Sequence, residues 1–147
     1  METATLIKRL DAIESETKSI RRLLAKSGKV TDRLKTVEDA FNEVGLDYKI
    51  FKTNAENCGL SDDEMAYCIL KIIAKALNEG WTPNWEDSNE RKYYPWFEYK
   101  KGSGFVYHCV DYWSTLTDVG SRLCFKNAEL AKYAATQFIE VYNRFLK

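Results

Sequence analysis

Gly80 separates two stretches with different apolar periods, and this split restricts the available folds more than any other feature. Before it, apolar residues recur at steps of three and four, which lays one stripe along an α-helix. Met65, Ile69, Ile72, Ile73, Ala76 and Leu77 form the clearest such stripe. Ser61 and Glu64 make a capping box ahead of it, and Asp62 and Asp63 suit the positive end of a helix. After Gly80 the segment WTPNWEDSNERK is rich in turn formers, and short aromatic runs then take over.

Those runs predict strands. Tyr93 to Tyr99 and Phe105 to Tyr112 flank the turn KKGSG, which predicts a hairpin. Pro95 places part of the first strand at an edge or a strand start. Strict alternation would put Phe105, Tyr107, Cys109 and Asp111 on one face of the second strand, with Val106, His108, Val110 and Tyr112 on the other. Ser121 to Phe125 reads as a third strand. Asn127 caps a last helix whose core face is Leu130, Ala134, Phe138, Tyr142 and Phe145. The expected fold class is α+β: N-terminal helices, a small antiparallel sheet of about three strands, and a C-terminal helix packed on the sheet.

The N-terminal segment predicts a helix from Thr3 to Ala25. Leu6, Leu10, Ile13, Ile20 and Leu24, with Thr17 in the remaining slot, follow alternating steps of four and three, a heptad seam. Three heptads are marginal alone, so the seam either packs on its own domain or makes a homo-oligomer. Ser27-Gly28 breaks this helix, so the expected organisation is an amphipathic helix over 1–27 and one α+β domain over 28–147. A second helix starts at Asp32 or Val37, with Thr36 and Asp39 as a capping box and Gly45 closing it. The segment from Leu46 to Gly59 is irregular, and DYKIFK reads as a short strand or an extended loop.

Formal net charge is zero, which gives no overall bias toward DNA or membranes. Its distribution is uneven. Lys18, Arg21, Arg22, Lys26, Lys29, Arg33 and Lys35 face only Asp32 within their stretch, and acids dominate from Val37 to Tyr67. The basic stretch is either a solvated face balanced elsewhere or a grip for phosphates or an acidic partner. No run approaches a transmembrane span, and METATLIKRLDAIE lacks the apolar core of a signal peptide. Cys58, Cys68, Cys109 and Cys124 form no CxxC pair and read as reduced thiols, so a cytoplasmic location is expected.

Catalytic patterns are lacking. His108 is the single histidine, and on a strand it points away from its neighbour Cys109, although Cys124 on the next strand would reach its face. Asp111 and Asp118 near Arg122 suggest a buried ion pair. No phosphate-loop, dinucleotide or nucleophile-elbow motif occurs, and the chain lacks metal-ligand spacing. The expectation is a non-enzymatic protein with no metal and no cofactor.

The aromatic belt is more informative. It runs through Trp81, Trp85, Tyr93, Tyr94, Trp96, Phe97, Tyr99, Phe105, Tyr107, Tyr112 and Trp113, with Lys92, Lys100, Lys101 and Arg122 beside it. Either one face packs on the helices while tyrosines close the edges, or ring faces form a binding surface. Trp85, Tyr93, Tyr94, Trp96, Tyr107, Trp113 and Arg122 are the candidates for that surface. Aromatic and basic residues together suit single-stranded nucleic acid and also protein hot spots.

From about Ser61 to Phe145 the chain resembles short uncharacterised proteins of prophages and mobile elements of Bacteroidota. The stretches that carry the resemblance are LKIIAKALNEGWTPNW, KYYPWFEY and VGSRLCFKNAELAKYAATQF. The resemblance implies no catalytic residues. It implies a phage setting, and so an anti-defence inhibitor of the anti-CRISPR type that binds a host defence nuclease or its guide RNA. Two other readings stand beside it: an oligomeric nucleotide or nucleic-acid accessory protein, and a structural virion component.

Overall fold

The computed structural model describes residues 2–25, 27–118 and 120–147, without the side chains at 2–4, 18, 19, 21, 22, 24 and 25. Lys18, Arg21, Arg22 and Lys26 of the basic stretch and Leu24 of the seam therefore fall outside the described residues. The chain divides into two compact units, Met1–Arg33 and Leu34–Lys147.

The first unit holds α1 (Glu2–Ala25) and the single turn α2 (Val30–Arg33). The seam residues Leu6, Leu10, Ile13 and Ile20 are 50–62% exposed. Ile7 and Leu23, on either flank, are exposed as well.

The second unit is α+β. It contains α3 (Val37–Glu43), α4 (Tyr48–Asn57), α5 (Asp62–Leu77), β1 (Lys92–Lys100), β2 (Gly104–Trp113), α6 (Ala128–Gln137) and α7 (Ile139–Leu146). Helix α5 is the central strut, packed against α3 and α7. Ile69, Leu70, Ile73 and Leu77 from α5 are fully buried with Leu34, Phe41 and Phe125. Each such side chain contributes about 1.5–3 kcal/mol by leaving water. Local caps start the helices as expected. The Ser61 amide donates to the Glu64 carboxylate at 2.8 Å, Thr36 and Asp39 close a full capping box, and Asn127 accepts from the Leu130 amide at 2.9 Å.

Four expectations are corrected. Residues 48–57 form helix α4 rather than a strand or loop. Asp47 caps it by accepting from the Ile50 amide, and Tyr48, Phe51 and Ala55 fall on one helical face. Phe41 fits against that face, with ring centroids 5.2 Å from Tyr48 and 5.0 Å from Phe51. The C-terminal helix is broken at Phe138, whose backbone (φ −112, ψ 30) leaves the helical region and turns the chain from α6 into α7. Leu130, Ala134, Phe138 and Tyr142 are nevertheless all buried.

The sheet has two strands, not three. Ser121 to Phe125 is reduced to one bridge, with Phe125 and Tyr93 exchanging backbone hydrogen bonds at 2.9 and 3.0 Å. A turn at Gly120–Leu123 uses up the residues that would extend it. The buried Asn78 side chain takes the place of a strand on the far side. Its amide donates to the Cys124 carbonyl at 2.9 Å, and its oxygen accepts from the Lys126 amide at 3.0 Å.

The hairpin carries a bulge at His108, where Trp96 pairs with Cys109 but Phe97 pairs with Tyr107. Strict alternation therefore fails along β2: Tyr107, opposite Phe97, shares a face with Tyr112, opposite Tyr93. Helix α7 anchors the strand through Asn143, which accepts from the Phe105 amide and donates to its carbonyl, both at 2.8 Å.

Candidate basic-aromatic cleft

The most distinctive site starts from a buried cation. Lys92 has no exposed surface, and its Nζ donates to the carbonyls of Glu90 (2.9 Å), Asp87 (3.3 Å) and Asn84. The Glu90 carboxylate lies 3.2 Å away, and the Trp85 ring centroid 5.4 Å away. Noted in the sequence only as lying beside the aromatic belt, Lys92 organises the loop before β1. Burial pushes the Glu90 carboxyl up, but the Asn84 amide, the Lys92 ammonium and the Trp81 indole outweigh burial and hold it below its usual value. These contacts orient both loop tryptophans.

The loop forms one wall of a cleft of about 570 Å³. Trp81, Pro83 and Trp85 line that wall, Lys71, Ile72 and Lys75 of α5 line a second, and Ser121 and Arg122 complete it. Lys71 and Lys75 are one helical turn apart, so they share a face. Ile72, expected in the buried stripe, is half-buried at the cleft. The turn after α5 makes the geometry possible, because Glu79 (φ 49) and Gly80 (φ 88) reverse the chain and the Trp81 amide donates to the Asn78 carbonyl. Two acids near it are paired with other cations: Glu79 with Lys126 at 3.3 Å and Glu90 with Lys92. The Lys71 ammonium sits 5.0 Å from the Tyr67 ring. The cleft therefore offers two half-buried indoles beside three cations.

The sequence candidates divide among several places. Trp85 and Arg122 line this cleft. Tyr94, Trp96 and Trp113 line a separate apolar groove of about 250 Å³ with Phe97, Phe105 and Tyr142. Tyr93 packs against Tyr112 at 5.7 Å, and Tyr107 is half-buried opposite Phe97. Lys29 is exposed, Arg33 donates to the Gly28 carbonyl at 3.3 Å, and Lys35 lies 5.6 Å from the Tyr133 ring. Sequence reasoning missed Lys71 and Lys75, although their four-residue spacing beside the α5 stripe was a usable signal. It placed Trp81 in the belt but not at a site.

The reactive side chains His108, Cys109, Cys124, Asp111 and Asp118 form no common site among the described residues. Cys124 is buried, its Sγ approaches the Ser121 carbonyl at 3.5 Å, and burial pushes its thiol up despite contact with Tyr94. Burial also raises the Tyr94 hydroxyl to about 12. His108 is exposed and 3.9 Å from Glu98. Asp111 accepts from the Tyr112 amide and Asp118 from the Gly120 amide, and neither forms an ion pair with Arg122 among the described residues. Among those residues no cluster of three His, Cys, Asp or Glu side chains forms a metal site, and no helix is long and apolar enough to cross a membrane. Comparison with protein families, curated proteins and solved structures finds no match.

Proposed function

We propose that this chain is a non-catalytic inhibitor of phage type that acts by binding single-stranded RNA, with the guide RNA of a host defence nuclease as the intended partner. The observation that carries this reading is the cleft in which Trp81 and Trp85 lie beside Lys71, Lys75 and Arg122. Indole planes stack on any base, and cations at one rim suit a phosphate backbone. The RNA setting follows the resemblance to prophage proteins, and the cleft supplies the chemistry.

The test is fluorescence anisotropy of labelled single-stranded RNA across a salt series. Three phosphate contacts predict a log–log salt slope of about −2 for a single strand. Lys71→Glu with Lys75→Glu is expected to flatten the slope and weaken binding, and Trp85→Ala to weaken binding with the slope unchanged. Arg21→Glu, Arg22→Glu and Lys26→Glu together report whether the N-terminal basic stretch adds contacts. No binding at low salt, or binding indifferent to the cleft substitutions, refutes the proposal. A mononucleotide is the second reading, favoured by the cleft volume of about 570 Å³. Calorimetric titration with mononucleotides separates the two, because a strand-specific site leaves them unbound.

A further inference from the structure

Among the described residues, helix α1 presents an open apolar face: Leu6, Leu10, Ile13 and Ile20 are at least half exposed over a regular heptad. The heptad assigns Leu10 and Thr17 to position a, and Leu6, Ile13 and Ile20 to position d. Two features of this register identify the occupant of the face as further copies of the same helix.

The first feature is charge. Arg9 falls at g and Glu14 at the following e, five residues on, and the sequence repeats the opposition with Glu16 and Arg21. In a parallel, in-register assembly each g residue faces the next e of its neighbour, so Arg9 meets Glu14 of the neighbouring helix. A fully overlapped antiparallel pair instead sets Glu14 against Glu14 and Glu16 against Glu16, which repel. The second feature is side-chain shape. In the central heptad, leucine at a (Leu10) with isoleucine at d (Ile13 and Ile20) disfavours two strands and shifts the preference to three or four. Ile7 at e and Leu23 at g are 55% and 71% exposed and widen the apolar face beyond a two-stranded seam.

We infer that α1 assembles with copies of itself into a parallel four-stranded coiled coil, making the protein a homotetramer. This goes beyond the cleft reading and does not depend on it.

Sedimentation equilibrium of the full chain is expected to give four times the 17.1 kDa chain mass. A monomer, dimer or trimer across the micromolar range overturns the inference. Ile13→Glu is expected to give a monomer, and an unchanged mass overturns it. Exchanging the core shapes, Leu10→Ile with Ile13→Leu and Ile20→Leu, is expected to give a dimer; a persistent tetramer refutes the packing rationale. Arg9→Glu is expected to raise the midpoint concentration of assembly by about three- to eightfold, since four pairs turn from attraction to repulsion and the midpoint follows the cube root of the tetramer constant. Adding Glu14→Arg is expected to restore it, and failure of that rescue refutes the parallel orientation. Fluorescence from the four tryptophans, all between Trp81 and Trp113, confirms that the second unit stays folded in every variant.

Discussion

Replacing Lys92 by methionine tests the link between a buried charge and the site above it. Methionine keeps most of the aliphatic volume, so little of the effect comes from a cavity. It removes an ammonium that is fully buried, holds three loop carbonyls and neutralises Glu90. Charge-assisted bonds contribute about 1.5–3 kcal/mol each, but not additively, since the freed carbonyls and Glu90 recover some solvation as the loop opens. The Glu90 side chain is 26% exposed and can rehydrate, so the expected loss is about 2–4 kcal/mol, below the full cost of stranding a buried charge. For a unit of this size it corresponds to a fall in Tm of roughly 6–15 °C. Urea unfolding followed by tryptophan fluorescence measures it, with the m-value expected to stay constant. Lys92→Arg is expected to recover only part of the loss, because a planar guanidinium cannot direct donors at three converging carbonyls. A Lys92→Met protein within about 1 kcal/mol of the parent would show that the loop holds its shape without the cation, and the account of the cleft would fail.

Glu90 predicts a specific acid sensitivity. Its folded pKa lies below the ordinary value of 4.5, so its contribution to stability is complete above that value and is lost as pH falls through the folded pKa. Unfolding midpoints measured between pH 6 and pH 3 are expected to fall below about pH 4.5, and Glu90→Gln to flatten the fall; an identical profile in the variant refutes the assignment. Gly104 predicts a backbone requirement, because its φ is +79 and an added Cβ would meet Asn143 Oδ1 at 2.6 Å. Gly104→Ala is expected to destabilise by about 2–4 kcal/mol through left-handed strain and displacement of the Asn143 clamp, and a thermal shift of under about 3 °C would refute this.

The contrast between α4 and α5 shows where sequence reading works. Both helices have side-chain caps and apolar residues at helical spacing. In α5 the stripe is long and aliphatic, so the period is unmistakable. In α4 the core face is only Tyr48, Phe51 and Ala55, and aromatic residues suit strands equally well. The deciding contact is Phe41, which lies in a different element. The third strand failed for a related reason. Leu123, Cys124 and Phe125 are apolar and buried, as a strand requires, yet Asn78 supplies the hydrogen bonds that a neighbouring strand would have made.

By itself the sequence determined what depends on residues within a turn of one another. That includes the caps at Thr36, Ser61 and Asn127, the heptad of α1, the stripe of α5 and the hairpin around KKGSG. Tertiary structure decided the rest. Lys92 reads as one more surface lysine until the loop from Asn84 to Glu90 closes over it. Lys71, Trp85 and Arg122 lie far apart in the chain yet line one cleft, next to the point where Asn78 ties the end of α5 to the segment at Cys124. Caps and periods are set by short-range sterics and hydrogen bonds that any local segment carries. Convergence of distant side chains depends on how whole elements pack, and that information is spread across the entire core.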